Sequence, residues 1–323
     1  MTTWHKPWPT LAGADDGEVV VLTPKEAGWA YCGLRVLHLQ PGVEAVVRTG
    51  GSEVFVLPLA GSLFVEVMAD ADPQAVEDTF HLTGRASVFA RVTDFAYVGR
   101  DSTMHLRSDG GAEVAIPSAA CSERRTPRYG PAEAVPVEVR GAGPASRQVT
   151  NFGIPGAWDH AEKLIACELI TPGGNWSSYP PHKHDRSSPC DVVNEEIYYF
   201  RVAGPDGVTP SRQGFALHHS YTGPEHKAAG LATVDDTVEV RDGDVYVIPH
   251  GYHGPCVAAP GYPLYYLNVM AGPAPERAMT VCDDPEHAWE RASWADEPID
   301  PRCPVTDATG RVDRGPVDEG RPR

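Results

Sequence analysis

The sequence predicts an all-β protein made of two sheet domains, and three observations carry that reading. Its 323 residues can bury a sizeable core and exceed the usual size of one compact sheet domain. Glycine and proline are both frequent, 32 and 31 residues, and they punctuate short β-rich runs at near-regular spacing. Long amphipathic helical runs are scarce, so a turn-rich sheet architecture fits better than a helical bundle.

Composition narrows the function classes. A hydrophobic fraction of 41% reads as soluble and globular. The formal net charge of -17, with a pI near 5.1, argues against nucleic acid or an anionic membrane as partner. An acidic small substrate remains compatible, because local arginines outweigh a global field at contact distance. No apolar run reaches membrane-spanning length. The seven cysteines are scattered without Cys-x-x-Cys spacing. Their odd number, and an N-terminus without a secretory signal, predict reduced thiols in a cytoplasmic protein, with Cys190 an ordinary loop residue.

In chain order, residues 1–15, with Trp4, Trp8 and Pro9, read as an extended arm that packs over a barrel or against a partner. Residues 19–22 and 34–39 are strand candidates separated by Pro24 and Gly28. Gly50-Gly-Ser-Glu53-Val-Phe-Val then leads to a strand at 62–67, an acidic exposed hairpin loop at 69–78, and runs at 80–82, 87–90, 95–98 and 103–106 that complete a meander. Glu53 ahead of its strand echoes Glu196 ahead of Ile-Tyr-Tyr-Phe, which suggests that the first half repeats the sheet plan of the second. No His-x-His precedes Glu53 and no histidine follows residues 89–97 at the matching place, so the first half is read as metal-free. A basic, proline-containing connector at 122–131 sets a boundary near 130, dividing residues 1–130 from 131–323.

The second half carries the chemistry. A strand at 135–139 leads to Arg140-Gly-Ala-Gly and on to Arg147; the glycines allow close backbone approach to a ligand, and Arg147 suits a carboxylate clamp, an ordinary strand-connecting turn being the alternative. A buried strand at 164–170 and a Pro-Gly-Gly turn deliver the chain to Pro180-Pro181-His182-Lys183-His184. Alternation in an extended strand puts His182 and His184 on one face and Lys183 on the other. After a spacer loop at 186–194, Glu196, Tyr198 and Phe200 share a face by the same rule, and Glu195 turns the other way. The strand at 214–221 can turn only one of His218 and His219 inward, as a hydrogen-bonded wall residue rather than a ligand. Asp242-Gly-Asp-Val-Tyr-Val-Ile-Pro249-His-Gly251-Tyr252-His253 reads as a strand and turn that deliver His253, ahead of an aromatic strand at 262–270 with Tyr265 and Tyr266. A short helix at 286–294 and a flexible tail after Asp307 complete the chain. Three imidazoles and one carboxylate suit zinc, iron or manganese, with coordination positions left for water or substrate.

These motifs resemble those of cupin barrels, which carry His-x-His with a following Glu and then Pro-x-Gly-x-x-His. Here the spacer from His184 to Glu196 is longer, and one residue fewer separates Gly251 from His253. Longer blocks are more specific. Gly173-Gly-Asn-Trp through Pro180-Pro-His-Lys-His-Asp185, Glu195-Glu-Ile-Tyr-Tyr-Phe200, Pro260-Gly-Tyr-Pro-Leu-Tyr-Tyr-Leu-Asn through Pro273, and Asp284-Pro-Glu-His-Ala-Trp289 resemble the 5-deoxy-glucuronate isomerases of myo-inositol catabolism over nearly the whole chain. The resemblance implies two jelly-roll-like cupin barrels, with one divalent metal ion in the C-terminal barrel on His182, His184, Glu196 and His253. It implies an aldose–ketose isomerase turning 5-deoxy-glucuronate into 5-dehydro-2-deoxy-gluconate. The partner is then a small anionic sugar acid, with Arg147 and Lys183 as candidate contacts, while the apolar N-terminal arm and the metal-free first half suggest a homo-oligomer. Candidates for the catalytic base are Glu195, Tyr198, Tyr252 and Tyr266. His218-His219 departs from the Gln-Arg expected in the family. Two other readings fit the donor set alone: an iron-dependent dioxygenase, and a bicupin that binds a sugar acid without turning it over.

Overall fold

Strands with no solvent-facing side organise the molecule. The computed structural model describes residues 4–13, 17–185, 190, 192–306 and 312–313. The expected all-β architecture is present, and the longest helix among the described residues, Pro224–Ala228, has five residues.

In the first half, the 18-residue strand Ser52–Ala69 serves two walls. Its beginning pairs with Phe95–Val98 and Ala112–Ala120, and its remainder with Val76–Arg85 and Ser102–Arg107. A register shift between Pro58 and Ala60, followed by Gly61 at φ 83°, bends the strand between the walls. In the second half, the large sheet runs Val245–Val247, Glu195–Val202, Leu264–Ala271, Ile165–Thr171, Arg147–Gly153, Val137–Arg140. Opposite it stands a sheet of Trp176–Ser177, Cys256–Ala258, Ala216–Tyr221 and Asp235–Val240. A separate two-stranded ladder joins His182–Lys183 to Cys282–Asp283.

The N-terminal arm crosses to the second half. His5–Lys6 pairs with Tyr246 and Val245 at the sheet edge, and Asp244 holds the arm through His5 Nε2 at 2.9 Å and the Trp8 backbone N–H at 3.0 Å. Val312–Asp313 pairs in parallel with Val137–Arg140. The rest of the stretch after Asp307, expected to be a flexible tail, lies outside the described residues, as do residues 186–189 and 191 of the spacer loop.

Alternation distributes apolar side chains among three large cores, and a small fourth cluster gathers Ala142, Ala145 and Trp294. One fills the first barrel around Val56, Leu63, Val65 and Met104; another fills the second around Tyr198, Phe200, Tyr246 and Tyr266. The largest lies between the two large sheets and takes Phe55, Tyr97, Phe152, Tyr199, Tyr265 and Leu267. The strand Leu264–Ala271 is therefore buried along its whole length, Leu264 and Tyr266 facing its own barrel and Tyr265, Leu267 and Val269 facing the other half. Phe55 sits edge-on to Phe95, Tyr97, Phe152 and Trp158; truncating it to alanine costs about 3–5 kcal/mol.

Two glutamates tie the halves together reciprocally. The Glu53 carboxylate, fully buried, accepts the backbone N–H groups of Glu162 at 2.8 Å, Lys163 at 2.5 Å and Leu164 at 2.7 Å, and the Tyr97 hydroxyl at 2.7 Å. The Glu195 carboxylate accepts those of Ala30 at 2.8 Å, Tyr31 at 2.8 Å and Cys32 at 2.9 Å. Register agrees, Glu53 standing opposite Ala119 and Glu195 opposite Ala271. The echo read in the sequence is thus one residue off: Glu53 corresponds to Glu195 and not to Glu196.

One cysteine expectation is overturned. Cys190 and Cys282 form a disulfide with Cα atoms 5.7 Å apart, and the other five cysteines are free thiols. The cause is tertiary: the pairing of Lys183 with Cys282 brings the second strand of the small ladder beside Cys190, across 92 residues of sequence.

Candidate metal centre and substrate cavity

Three backbone features bring the histidines together. His182 and His253 exchange two backbone hydrogen bonds, of 3.0 and 2.9 Å, which sets their side chains face to face with ring centroids 4.8 Å apart. Gly251 and Gly254 flank His253 at φ 106° and 112°, values a side chain rarely adopts, and a Cβ on either would strike the carbonyl oxygen of Tyr221 or of Ser178. The backbone N–H of Ile248 bonds to the Glu196 carbonyl at 3.0 Å, so the strand before the turn lies against the strand that carries the carboxylate.

Donor atoms of His184, Glu196 and His253, all buried, lie within 4.8 Å of one another. Glu196 Oε2 is 2.9 Å from His184 Nε2 and 2.8 Å from His253 Nε2. Each histidine is oriented from behind: Nδ1 of His182, His184 and His253 faces the carbonyl oxygens of Pro180, Asn194 and Gly251 at 3.2, 2.9 and 3.3 Å. A carbonyl only accepts, so each Nδ1 carries a proton, and in the neutral ring the Nε2 of His184 and of His253 keeps a lone pair for the centre, His182 standing outside this three-residue cluster. Metal-ligating imidazoles are held this way. His253 Nε2, though close to Glu196, makes no hydrogen bond. Lone pairs from imidazole and carboxylate meet here, and they repel unless a proton or a cation lies between them. The residues therefore fit a divalent cation. Burial favours a neutral Glu196, but His184 and His253 outweigh it and hold its carboxyl below the usual range.

The cavity above these residues has a cationic wall. Arg140, Arg147 and Arg291 all line it, together with Asn268, Ser178 and His182. Arg140 and Arg147 stand directly opposite each other in the sheet, a costly pairing of like charges. Arg140 is matched by Glu138 at 2.9 Å, and Arg291 by Asp283 at 2.8 Å. Arg147 has no ion-pair partner among the described residues: it is 3% exposed, donates only to the carbonyls of Ala145 and Tyr179, and its Nε is unbonded. Burial and the neighbouring Arg140 push its pKa down to about 9. Its guanidinium lies over Trp294, 5.3 Å from the ring centroid, and Arg291 lies over the same ring at 5.4 Å. The glycine loop ahead of Arg147 serves the chain itself, because a Cβ on Gly141 would meet the Ala145 carbonyl and Arg147 Nη1.

The structure distributes the other candidates unevenly. Glu195 points to the domain interface, away from the centre, which removes it from the candidate bases. Lys183 is fully buried on the face opposite the histidines, with Nζ 3.0 Å from Glu225 and 5.3 Å from the centre of the Tyr252 ring. It and Tyr252 therefore stand behind the histidine-bearing strand and do not line the cavity. Tyr198 and Tyr266 are fully buried just beneath it, and burial pushes both phenols up, so neither is a ready base. His218 turns inward and is occupied on both nitrogens, by Cys256 Sγ at 3.2 Å and Ser220 Oγ at 3.0 Å; His219 turns outward. Sequence reasoning passed over Asn268, Ser178 and Arg291. Asn268 could have been found, since alternation from Tyr266 puts it on the barrel-facing side of an aromatic strand; Arg291 stands on the short helix expected at 286–294 and observed at Glu290–Ser293, where nothing local marks it as a cavity residue.

Two packed cupin barrels, one of them enclosing a histidine–glutamate donor cluster, define the class: a bicupin with a metal-type centre in its C-terminal barrel. The family model for the KduI/IolB family matches residues 9–290, and the chain belongs to that family. A curated relative from Geobacillus kaustophilus, named 5-deoxy-glucuronate isomerase, is 34% identical over 283 residues, 87% of this chain and 93% of the relative. Among solved structures, an IolB-like protein from Salmonella typhimurium superposes with a TM-score of 0.75 at 28% identity, covering 90% of this chain and 99% of that one. An oxalate decarboxylase from Lactobacillus farciminis shares the fold alone, with a TM-score of 0.57 at 11% identity over 85% of this chain and 88% of that one.

Proposed function

We infer that this protein is an aldose–ketose isomerase, an intramolecular oxidoreductase that converts 5-deoxy-glucuronate into 5-dehydro-2-deoxy-gluconate. The observation that carries the reading is one cavity with two complementary ends: imidazole nitrogens and a carboxylate at one, and at the other a buried guanidinium without an anion among the described residues. A uronate has the matching ends, a carbonyl and a carboxylate. The names of the curated relatives support the same substrate.

A divalent cation held by His182, His184, Glu196 and His253 would polarise the substrate carbonyl and stabilise the negative charge that develops on its oxygen. The chain's own residues do the rest. Arg147 binds the carboxylate with two parallel N–H donors, and Arg140 and Arg291 add to the positive potential there. The backbone carbonyls behind the imidazoles keep the ring tautomers fixed during turnover. Val149, Leu169 and Met270 give the cavity an apolar side suited to the deoxy carbon, and they exclude water from the reacting carbons.

The test is an NMR assay in deuterated water of protein reconstituted with zinc, manganese or iron(II), using 5-deoxy-glucuronate and a His253→Ala variant for comparison. Formation of the keto acid, lost together with bound metal in the variant, is the expected result. Tight metal binding with the sugar acid bound but unchanged would replace this reading by a binding bicupin. Oxygen consumption coupled to substrate loss would replace it by a dioxygenase.

A further inference from the structure

Isomerising an α-hydroxy aldehyde moves two hydrogens. One passes from the carbinol carbon to the carbonyl carbon; the C–H electron pair ends in the new C–H bond, so the first carbon is oxidised, its neighbour is reduced, and no external oxidant is needed. Independently, one proton must leave the hydroxyl oxygen and one must arrive on the former carbonyl oxygen. That second exchange is required whether the carbon hydrogen travels as a proton through an enediolate or as a hydride. It calls for a group at the cavity surface that can accept and donate at a single atom.

Ser178 has the position and the hydrogen bonding for this. It lines the cavity, is 7% exposed, and is one of two non-glycine residues with positive φ among the described residues, at 49°. A left-handed serine is strained backbone, and such strain persists where surroundings enforce it. Its Oγ lies 2.6 Å from the Tyr266 hydroxyl, which itself donates to Ser177 Oγ at 3.0 Å; Tyr266 and Ser177 are fully buried. A phenol has one proton, and Tyr266 spends it on Ser177, so the bond between Tyr266 and Ser178 is donated by Ser178. Ser178 Oγ stands on the cavity lining and, while donating to Tyr266, retains a lone pair that can accept a proton.

We propose that Ser178 is a catalytic residue that exchanges the hydroxyl proton between the two reacting oxygens of the substrate, with Tyr266 and Ser177 as positioning residues behind it. The substrate O–H bond breaks as a new Oγ–H bond forms. The original Ser178 proton swings from Tyr266 to the former carbonyl oxygen, its Oγ–H bond breaking as the product hydroxyl forms. Serine ends the cycle as it began. The proposal rests on the isomerase reading above.

The experiment compares Ser178→Ala, Ser178→Gly and Tyr266→Phe with the unmodified metal-loaded protein in water and deuterium oxide, recording kcat, KM, bound metal and the solvent isotope effect. Glycine removes the hydroxyl while relieving the left-handed backbone, so it separates chemistry from conformation. Both Ser178 variants are expected to lose about 100-fold in kcat, with KM and bound metal retained and the solvent isotope effect altered. Tyr266→Phe, which leaves the serine in place but loosely held, should lose about tenfold in kcat. A Ser178→Gly protein with undiminished kcat would overturn the proposal and reduce Ser178 to a turn residue, as would losses of kcat that follow loss of metal in both Ser178 variants. Inactivity of the unmodified protein is a different outcome: it would remove the isomerase reading and this proposal with it.

Discussion

Glu195 and Glu196 are neighbours in sequence with opposite tasks, and replacing the first isolates its task. In Glu195→Ala, three backbone N–H groups lose an anionic acceptor. The group on exposed Ala30 is rehydrated at little cost, that on Tyr31 partly so, and that on Cys32, fully buried, not at all. With about 1.5–3 kcal/mol for a charge-assisted bond and about 1–3 kcal/mol for a stranded buried donor, the loss comes to about 3–5 kcal/mol. A chain of 323 residues unfolds with an entropy that converts 1 kcal/mol into about 1.5 °C, so Tm should fall by about 4–8 °C. Differential scanning calorimetry measures this, with bound metal and turnover determined on the same preparation below the transition. Metal stoichiometry and kcat should stay near those of the unmodified protein. An Glu195→Ala protein with unchanged Tm and lost turnover would refute the reasoning, because Glu195 would then belong to the chemistry and not to the interface.

Three further outcomes follow from particular groups. Arg147→Met removes a buried cation that has no anion among the described residues, so Tm should hold or rise while KM for the sugar acid rises by tenfold or more; an unchanged KM counts against the carboxylate role. Burial pushes the Glu113 carboxyl up, but His38 and Arg201 outweigh it and hold it down to about 2, and the contact with Arg201 joins the two halves. A depressed carboxyl stabilises the fold above its unfolded value of 4.5 and loses that contribution as pH falls toward 2, on the order of 3 kcal/mol, so acid unfolding curves of Glu113→Gln should lack that part of the pH dependence. Thiol titration of the unfolded protein without reductant should count five thiols, and seven after reduction; seven at the outset would contradict the Cys190–Cys282 bond.

Periodicity made much of this molecule legible. Period-two alternation is a local property of an extended backbone, so it put His182 with His184 and Glu196 with Tyr198 and Phe200 before any partner strand was known. The same rule said that Glu195 and Lys183 face the other way. It could not say what waits there: for Glu195, three N–H groups from a segment some 165 residues earlier, and for Lys183, the Glu225 carboxylate and the Tyr252 ring. The offset between Glu53 and Glu196 has the same origin, since adjacent glutamates look alike as text and differ only in which side of the sheet is the barrel.

The sequence by itself therefore determined the β class, the residue types of the donor cluster and the family blocks, because each of these is written in neighbouring residues. Tertiary structure decided which groups end up without partners or with distant ones. Among the described residues Arg147 lacks an anion because Glu138 and Asp283 are taken by Arg140 and Arg291, which reach the same cavity from a strand and from a helix about 150 residues apart. Cys190 meets Cys282, and Ser178 meets Tyr266, across 92 and 88 residues. Hydrogen bonding and charge compensation depend on distances of a few ångströms, and between residues so far apart in sequence only the folded chain sets those distances.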